Sequence, residues 1–225
     1  MKDLEAGRLG RAKEVIEVLR KATKGMPEPA VNQIVNEHGN IPFFVLVSCL
    51  LSLRTKDTIS LPVSRKLFKV VRGPKELLAL PPDDLQKIVY PTGFFRQKAR
   101  TLRDVSEALL ERFDGKVPKT EQELLSLPGV GRKTANLVLG VAFGIPAICV
   151  DIHVHRISNR LGLVESKTPE QTEQQLQKLL PKKYWIDFNR LLVIWGQNIC
   201  TPISPYCSRC ALKHLCPRIG VKKHR

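Results

Sequence analysis

Leu127-Pro128-Gly129-Val130-Gly131-Arg132-Lys133, followed by Thr134-Ala135-Asn136-Leu137-Val138-Leu139, is the stretch that decides the fold. Gly129 and Gly131 let the main chain take positive φ and keep side chains out of the way of an approaching ligand. The residues after them read as a helix. Its first N–H groups lack intrahelical partners and its dipole favours an anion at that end, so a phosphate group fits there. Upstream, Thr120-Glu121-Gln122-Glu123 is a capping box that opens a short helix over 121–127. Short helix, glycine turn and a second helix to Phe143 make a helix-hairpin-helix.

Working outward, helical spacing recurs and strand alternation is almost absent. Val15, Ile16, Val18 and Leu19 mark a helix over 12–19, and Ala99, Leu102, Val105, Leu109 and Leu110 mark one over 96–113 that stops at Asp114-Gly115. Thr168-Pro169-Glu170-Gln171 is a second capping box with proline at the first helical position. Ile41 to Leu51 is apolar nearly throughout, far short of the roughly 18 residues that cross a bilayer, and reads as a core helix. Pro146 to Val150 runs extended into Asp151, which can cap a helix to Leu161. The chain reads as all-α, ending in a frayed basic tail, Val221-Lys222-Lys223-His224-Arg225.

Charge narrows the partner. The 225 residues hold 37 Lys+Arg against 21 Asp+Glu, a net charge of +16, and their 43% hydrophobic content is enough for a substantial core. A polyanion is expected, nucleic acid first. Met1-Lys2-Asp3-Leu4-Glu5 has neither the apolar run of a signal peptide nor the character of a transit peptide, so a reducing, intracellular location is expected and no membrane. There, Cys200-x6-Cys207-x2-Cys210-x5-Cys216 reads as a metal site rather than a disulfide framework. Four thiolates suit zinc or an iron–sulfur cube, and spacing alone does not choose. Cys49 and Cys149, alone among apolar neighbours, read as buried core.

Bond breaking at C1′ of a nucleotide needs a nucleophile, a carboxylate to support positive charge on the sugar, and exposure of the base. Lys133 is an amine at a helix start, where desolvation and the dipole favour its neutral form; taken alone it also suits phosphate binding. Asp151 lies 18 residues on, a helix cap by itself, a charge partner if the chain returns it to the hairpin. Thr92-Gly93-Phe94-Phe95-Arg96-Gln97-Lys98-Ala99-Arg100 sets two aromatics before three cations, suited to inserting a ring between bases while cations hold phosphates. Burial of both rings in the core is the alternative.

The hairpin, together with Val150-Asp151-Ile152-His153-Val154-His155-Arg156 and the cysteine spacing, closely resembles the endonuclease III branch of DNA glycosylases, over about Phe43 to Pro217. The resemblance implies two helical domains flanking a DNA-binding groove: a six-helix barrel with the hairpin over 35–145, and a discontinuous iron–sulfur domain of 1–34 and 146–225. It implies a [4Fe–4S] cluster on Cys200, Cys207, Cys210 and Cys216, a nucleophilic Lys133 and an Asp151 that assists base release. Gly129, Val130, Gly131, Arg132 and Thr134 then grip DNA, Phe94 takes the strand-wedging position and Phe95 joins the core. Leu51 to Asp57 resembles a loop in which glutamine commonly fills the space of the flipped base; here Arg54 stands in that place, with donors still available to the orphaned base. Asp57 is expected to cap or support the loop.

The implied activity is excision of oxidised pyrimidines followed by β-elimination at the abasic site. A glycosylase for thymine or uracil mispaired with guanine, suggested by Arg54, and a non-catalytic DNA-binding module are the alternatives. Adenine-excising relatives are disfavoured by Lys133 itself and by the lack of a further recognition domain after Cys216. The expected partner is duplex DNA with a damaged base or abasic site, bound by a monomer in the cytoplasm or nucleoid.

Overall fold

The structure, a computed structural model, describes residues 2–225, with side chains from Gly7 onward. These residues form helices and no strand: α1 (Lys2–Ala22), α2 (Ala30–His38), α3 (Pro42–Ser52), α4 (Asp57–Phe68), α5 (Pro74–Ala79), α6 (Pro82–Val89), α7 (Phe95–Phe113), α8 (Glu121–Leu125), α9 (Arg132–Phe143), α10 (Ile152–Arg160), α11 (Pro169–Leu179) and α12 (Trp185–Asn198). No described helix is long and apolar enough to cross a membrane. The chain divides into two compact units, Pro29–Ile145 and the pair of segments Met1–Glu28 and Pro146–Arg225.

In the Pro29–Ile145 unit, the apolar run near residue 45 becomes α3, whose residues Phe43 to Leu51 are all buried. A helix hydrophobic all round must be covered on every side, and α2, α4, α7 and α9 pack against it. Phe44 stacks on Phe68 of α4, centroids 4.0 Å apart. Each such ring removed from water contributes about 1.5–3 kcal/mol. α7 begins at Phe95 and stops where the sequence says it must: Asp114 and Gly115 both turn left-handed, and Gly115 N–H donates to Leu109 O at 2.8 Å. α9 stops in the same way at Gly144, with Ile145 N–H returning to Leu139 O. Asp57 opens α4, and its Oδ2 accepts the Ala30 N–H, at the start of α2.

The other unit is built on α12, whose Phe188, Leu191, Leu192 and Trp195 are buried with Ile16 and Leu19 of α1 and Val154 and Ile157 of α10. Thr168 caps α11 by accepting from Gln171 N–H, as its sequence demands. Asp187, held by Arg20 of α1 (2.7 Å) and by Arg190 (2.9 Å), pins α1 to α12. The basic tail is not frayed. Arg225 N–H donates to Pro205 O, Ser208 N–H donates to Arg225 O, and the Arg225 guanidinium lies 4.0 Å over the Tyr206 ring, with Arg209 over Tyr206 as well at 3.9 Å. A cation on an aromatic face plus two main-chain bonds orders an end that charge alone would leave solvated.

Candidate active site

The hairpin is set by local rules. Thr120 accepts Glu123 N–H to start α8, which ends at Leu125, two residues short of the expected Leu127. The turn then closes by Leu127 N–H to Leu124 O and Val130 N–H to Leu127 O. Leu127 and Val130 are buried, so the turn is nailed to the unit by two apolar side chains. The two glycines differ. Gly129 has φ +71°, and a Cβ there would come within 2.6 Å of the Thr101 methyl on α7. Gly131 does not take positive φ: it is extended at φ −95°, and a Cβ added there would meet nothing within 4 Å. The protein's own packing therefore requires the first glycine and not the second, which leaves an open approach to the start of α9.

No side chain caps α9 at Gly131. Arg132 is exposed and pairs loosely with Glu121 at 3.7 Å. Lys133 is exposed too, so the burial expected of its amine is not found. Thr134 and Val130 are buried, and a ligand can reach these positions only at the main chain. Beneath lies Cys49 of α3, its thiol pushed up to about 12 by burial and drawn part of the way back by the Lys133 charge. It is an inert core residue, as is the buried Cys149.

The two loops singled out for opening a duplex meet in space. Arg54 and Phe94 both have left-handed backbones, φ 53° and 59°, and the Arg54 guanidinium lies 4.4 Å over the Phe94 ring. Phe94 is 56% exposed. Phe95 is not in the core: it is half-buried, edge-on to exposed Tyr90 and capped by Arg96 at 5.1 Å. Lys98 is not a solvated cation either. It is buried, and its Nζ donates to Leu51 O (2.6 Å) and to Thr55 Oγ1 (2.7 Å), while Thr55 Oγ1 also accepts Gly93 N–H (3.1 Å). Burial pushes its amine down to about 8. Sequence reading missed Thr55 and the buried role of Lys98, because nothing local announces either.

In the other unit, Asp151 caps α10: its Oδ1 accepts from His153 N–H and Val154 N–H, both at 2.9 Å. Its Oδ2 takes no hydrogen bond among the described residues. Two residues on, His153 fits under α12 only because position 196 is glycine; a Cβ there would meet its Nδ1 at 2.3 Å. Arg156 donates to His153 Nδ1 (3.0 Å) and to Cys200 O (2.7 Å), running from the α10 start to the cysteine loop. Cys200, Cys207, Cys210 and Cys216 line one pocket together with Arg160, whose Nη1 donates to Cys200 Sγ at 3.3 Å. Burial raises the Cys210 and Cys216 thiols. Among the described residues no three of His, Cys, Asp or Glu converge as ligands of a single metal ion. Arg156 and Arg160 were invisible as functional residues in the sequence, where they read as ordinary helix cations.

An all-helical chain with a glycine hairpin, a lysine at its second helix and a capping aspartate at the next matches the HhH-GPD superfamily of base excision DNA repair proteins over residues 47–182, more than half its length, and belongs to that family. Within it, endonuclease III of Thermotoga maritima is 46% identical over 200 residues, covering 89% of this chain and 91% of that protein. A solved structure of a non-covalent endonuclease III–DNA complex superposes with a TM-score of 0.83 at 32% identity, covering 93% of this chain and 95% of that one. A trapped endonuclease III–DNA covalent intermediate, an estranged-adenine complex, gives 0.77 at 33% identity, with 92% and 96% covered.

Proposed function

We infer that this chain is a base excision repair DNA glycosylase with abasic-site lyase activity, acting on oxidised pyrimidines in duplex DNA. The observation that carries the reading is Lys133: an exposed amine in the first turn of α9, beside an open glycine, in a chain similar over nearly its whole length to a protein trapped covalently on DNA. Glycosylases reach their target by extruding the nucleotide from the stack. The main chain at Gly129, Gly131 and Thr134 and the Arg132 side chain grip a phosphate at the helix start, which places the sugar beside Lys133.

Covering DNA desolvates the Lys133 amine, which attacks C1′ as the neutral form. The electron pair of the glycosidic bond leaves with the base, and the base gains a proton. Asp151, whose Oδ1 is held by two N–H groups, is the carboxylate assigned to support the positive charge that develops on the sugar. Loss of a proton from the lysine nitrogen with ring opening leaves a Schiff base. Removal of a C2′ proton then expels the 3′ phosphate, and water releases Lys133. The oxidised-pyrimidine assignment rests on the endonuclease III relatives.

Cys200, Cys207, Cys210 and Cys216 suit a [4Fe–4S] cluster, since four thiols line one pocket and their spacing resembles the cluster loop of endonuclease III. When bound, the cluster would cross-link the 200–216 loop, with Arg160 balancing thiolate charge and the neighbouring cations near DNA. The partner is DNA, bound by a monomer inside the cell.

Borohydride trapping on abasic DNA tests the reading. Wild type should form a covalent adduct, and Lys133→Gln should bind the same DNA and form none. Trapping of Lys133→Gln at the wild-type rate would hand the nucleophile to another amine; no adduct with wild type would leave a DNA-binding module. Duplexes carrying thymine glycol, 5-hydroxycytosine, uracil or thymine opposite guanine decide the substrate: faster excision of thymine than of thymine glycol overturns the oxidised-pyrimidine assignment.

A further inference from the structure

Lys98 sits where a methionine would pack. It is buried, it has no carboxylate partner among the described residues, and both its hydrogen bonds go to neutral oxygens, Leu51 O at the end of α3 and Thr55 Oγ1 in the loop that follows. Burying an ammonium on such terms is costly, so the group must supply something that an apolar side chain does not. What it supplies is a junction. The hydroxyl it binds also accepts Gly93 N–H at 3.1 Å, from the loop that carries Phe94. The two loops press together at the same place: a Cβ at position 93 would meet Arg54 O at 3.1 Å.

On either side of this junction stand two residues in left-handed backbone conformations, Arg54 and Phe94, that non-glycine residues hold only when their surroundings impose it. The imposed conformations bring the guanidinium over the exposed ring at 4.4 Å. We infer that Lys98 is a positioning residue that ties the loop of Arg54 to the loop of Phe94, so that the two side chains enter a duplex as one preset wedge. This rests on the reading of the chain as a base-extruding glycosylase. Lys98 touches neither the sugar nor the base. It acts through Thr55, and through Thr55 on both neighbours.

The amine has a physical reason to be preferred over a neutral donor. Three donors on one nitrogen let it hold the Leu51 carbonyl in the last turn of α3 and the loop hydroxyl together, while its four-carbon stem lies in the core. Its low proton affinity, down to about 8, follows from the same burial and marks how fully the group is committed to this place.

The test compares wild type with Lys98→Met, which keeps the stem and removes the donors, Thr55→Val, which keeps the shape and removes the shared hydroxyl, Phe94→Ala, Arg54→Ala and the pair Lys98→Met/Phe94→Ala. Excision of thymine glycol from a paired duplex requires opening; borohydride trapping on an abasic site in single-stranded DNA does not. Fluorescence of 2-aminopurine beside the lesion reports unstacking directly. Lys98→Met and Thr55→Val should each lose between about ten- and a hundredfold in duplex excision, the scale of a misplaced site. Both should unstack 2-aminopurine more slowly and trap on single strands within about twofold of wild type, the span of a weak positional effect. The double variant should be no slower than the slower of its single variants.

Equal losses on duplex and single strand, or losses that multiply in the double variant, would make Lys98 a general structural residue and overturn the tie. Should Lys98→Met fail to fold, wild-type duplex excision by Thr55→Val overturns it as well. Wild-type excision by both Phe94→Ala and Arg54→Ala would remove the wedge itself and the tie with it. Slow excision by those two beside a wild-type rate for Lys98→Met removes the tie alone.

Discussion

Replacing Gly129 by alanine separates what the hairpin needs in order to fold from what it needs in order to bind. The φ of +71° places an alanine in the left-handed region at a cost of about 1–2 kcal/mol. Its Cβ would also stand 2.6 Å from the Thr101 methyl, and relieving such an overlap in a packed setting costs about 1–3 kcal/mol. The two add to roughly 2–5 kcal/mol, or several degrees in Tm at about 2–4 °C per kcal/mol for a chain of this size. Thr101→Ser removes the offending methyl and leaves the hydroxyl 3.7 Å away. The double variant should therefore recover the overlap part and keep the φ part, a coupling measurable by urea unfolding in a double-mutant cycle. Gly131→Ala is the control, with φ −95° and open space around its Cβ: stability should stay within ~0.5 kcal/mol while affinity for abasic DNA falls about tenfold or more. A Gly129→Ala loss below ~0.5 kcal/mol, or no rescue by Thr101→Ser, would refute the steric account. Unchanged DNA affinity in Gly131→Ala would refute the open approach.

Asp151→Asn should keep the α10 cap, and so its unfolding free energy to within ~0.5 kcal/mol, whereas Asp151→Ala loses about 1 kcal/mol with the cap; excision by both should fall by about a hundredfold or more in single-turnover assays, and an Asn variant of normal rate would remove the charge from the mechanism. Lys98 fixes a pH dependence of stability. Its folded pKa of about 8 lies below the ordinary 10.5, so between those values the unfolded chain binds more protons and stability rises with pH. Urea midpoints of wild type should climb across about pH 8 to 10.5 more steeply than those of Lys98→Met, and parallel curves would contradict the burial. Cys207→Ala should lower bound iron and the broad absorbance near roughly 400 nm, read by iron assay and spectrum; an unchanged iron content would take Cys207 out of the ligand set.

Much of this molecule was legible because its signals are local. The end of α7 is written in Asp114-Gly115, the start of α8 in Thr120 and Glu123, and the cap of α10 in Asp151, each a matter of a few neighbouring residues. The core position of α3 follows from an apolar run with no polar face. What escaped depends on residues distant in sequence. Lys98 looked like a phosphate-holding cation because Leu51 and Thr55, its partners, lie more than forty residues upstream. Phe95 was given to the core by the resemblance alone, and no local signal shows that it packs edge-on against exposed Tyr90 and stays half-buried. Arg225 looked solvated because Tyr206, whose face it covers, sits in a loop with no periodic pattern. The second hairpin glycine carries a different lesson. Its φ is ordinary, and its smallness is explained only by a ligand that sequence reading had to suppose.

The backbone at position 54 is held by groups that do not include its own side chain: Thr55, Gly93 and Lys98 fix the loop, and the guanidinium merely rests on a neighbouring ring. Support and contact are thus separable at this site. A lineage can exchange the residue at 54 for another polar one and sample new opposite-base preferences while the scaffold under it stays intact. Diversification of lesion choice within such proteins is then expected to run through single exchanges at 54, while positions 55, 93 and 98 change rarely and together.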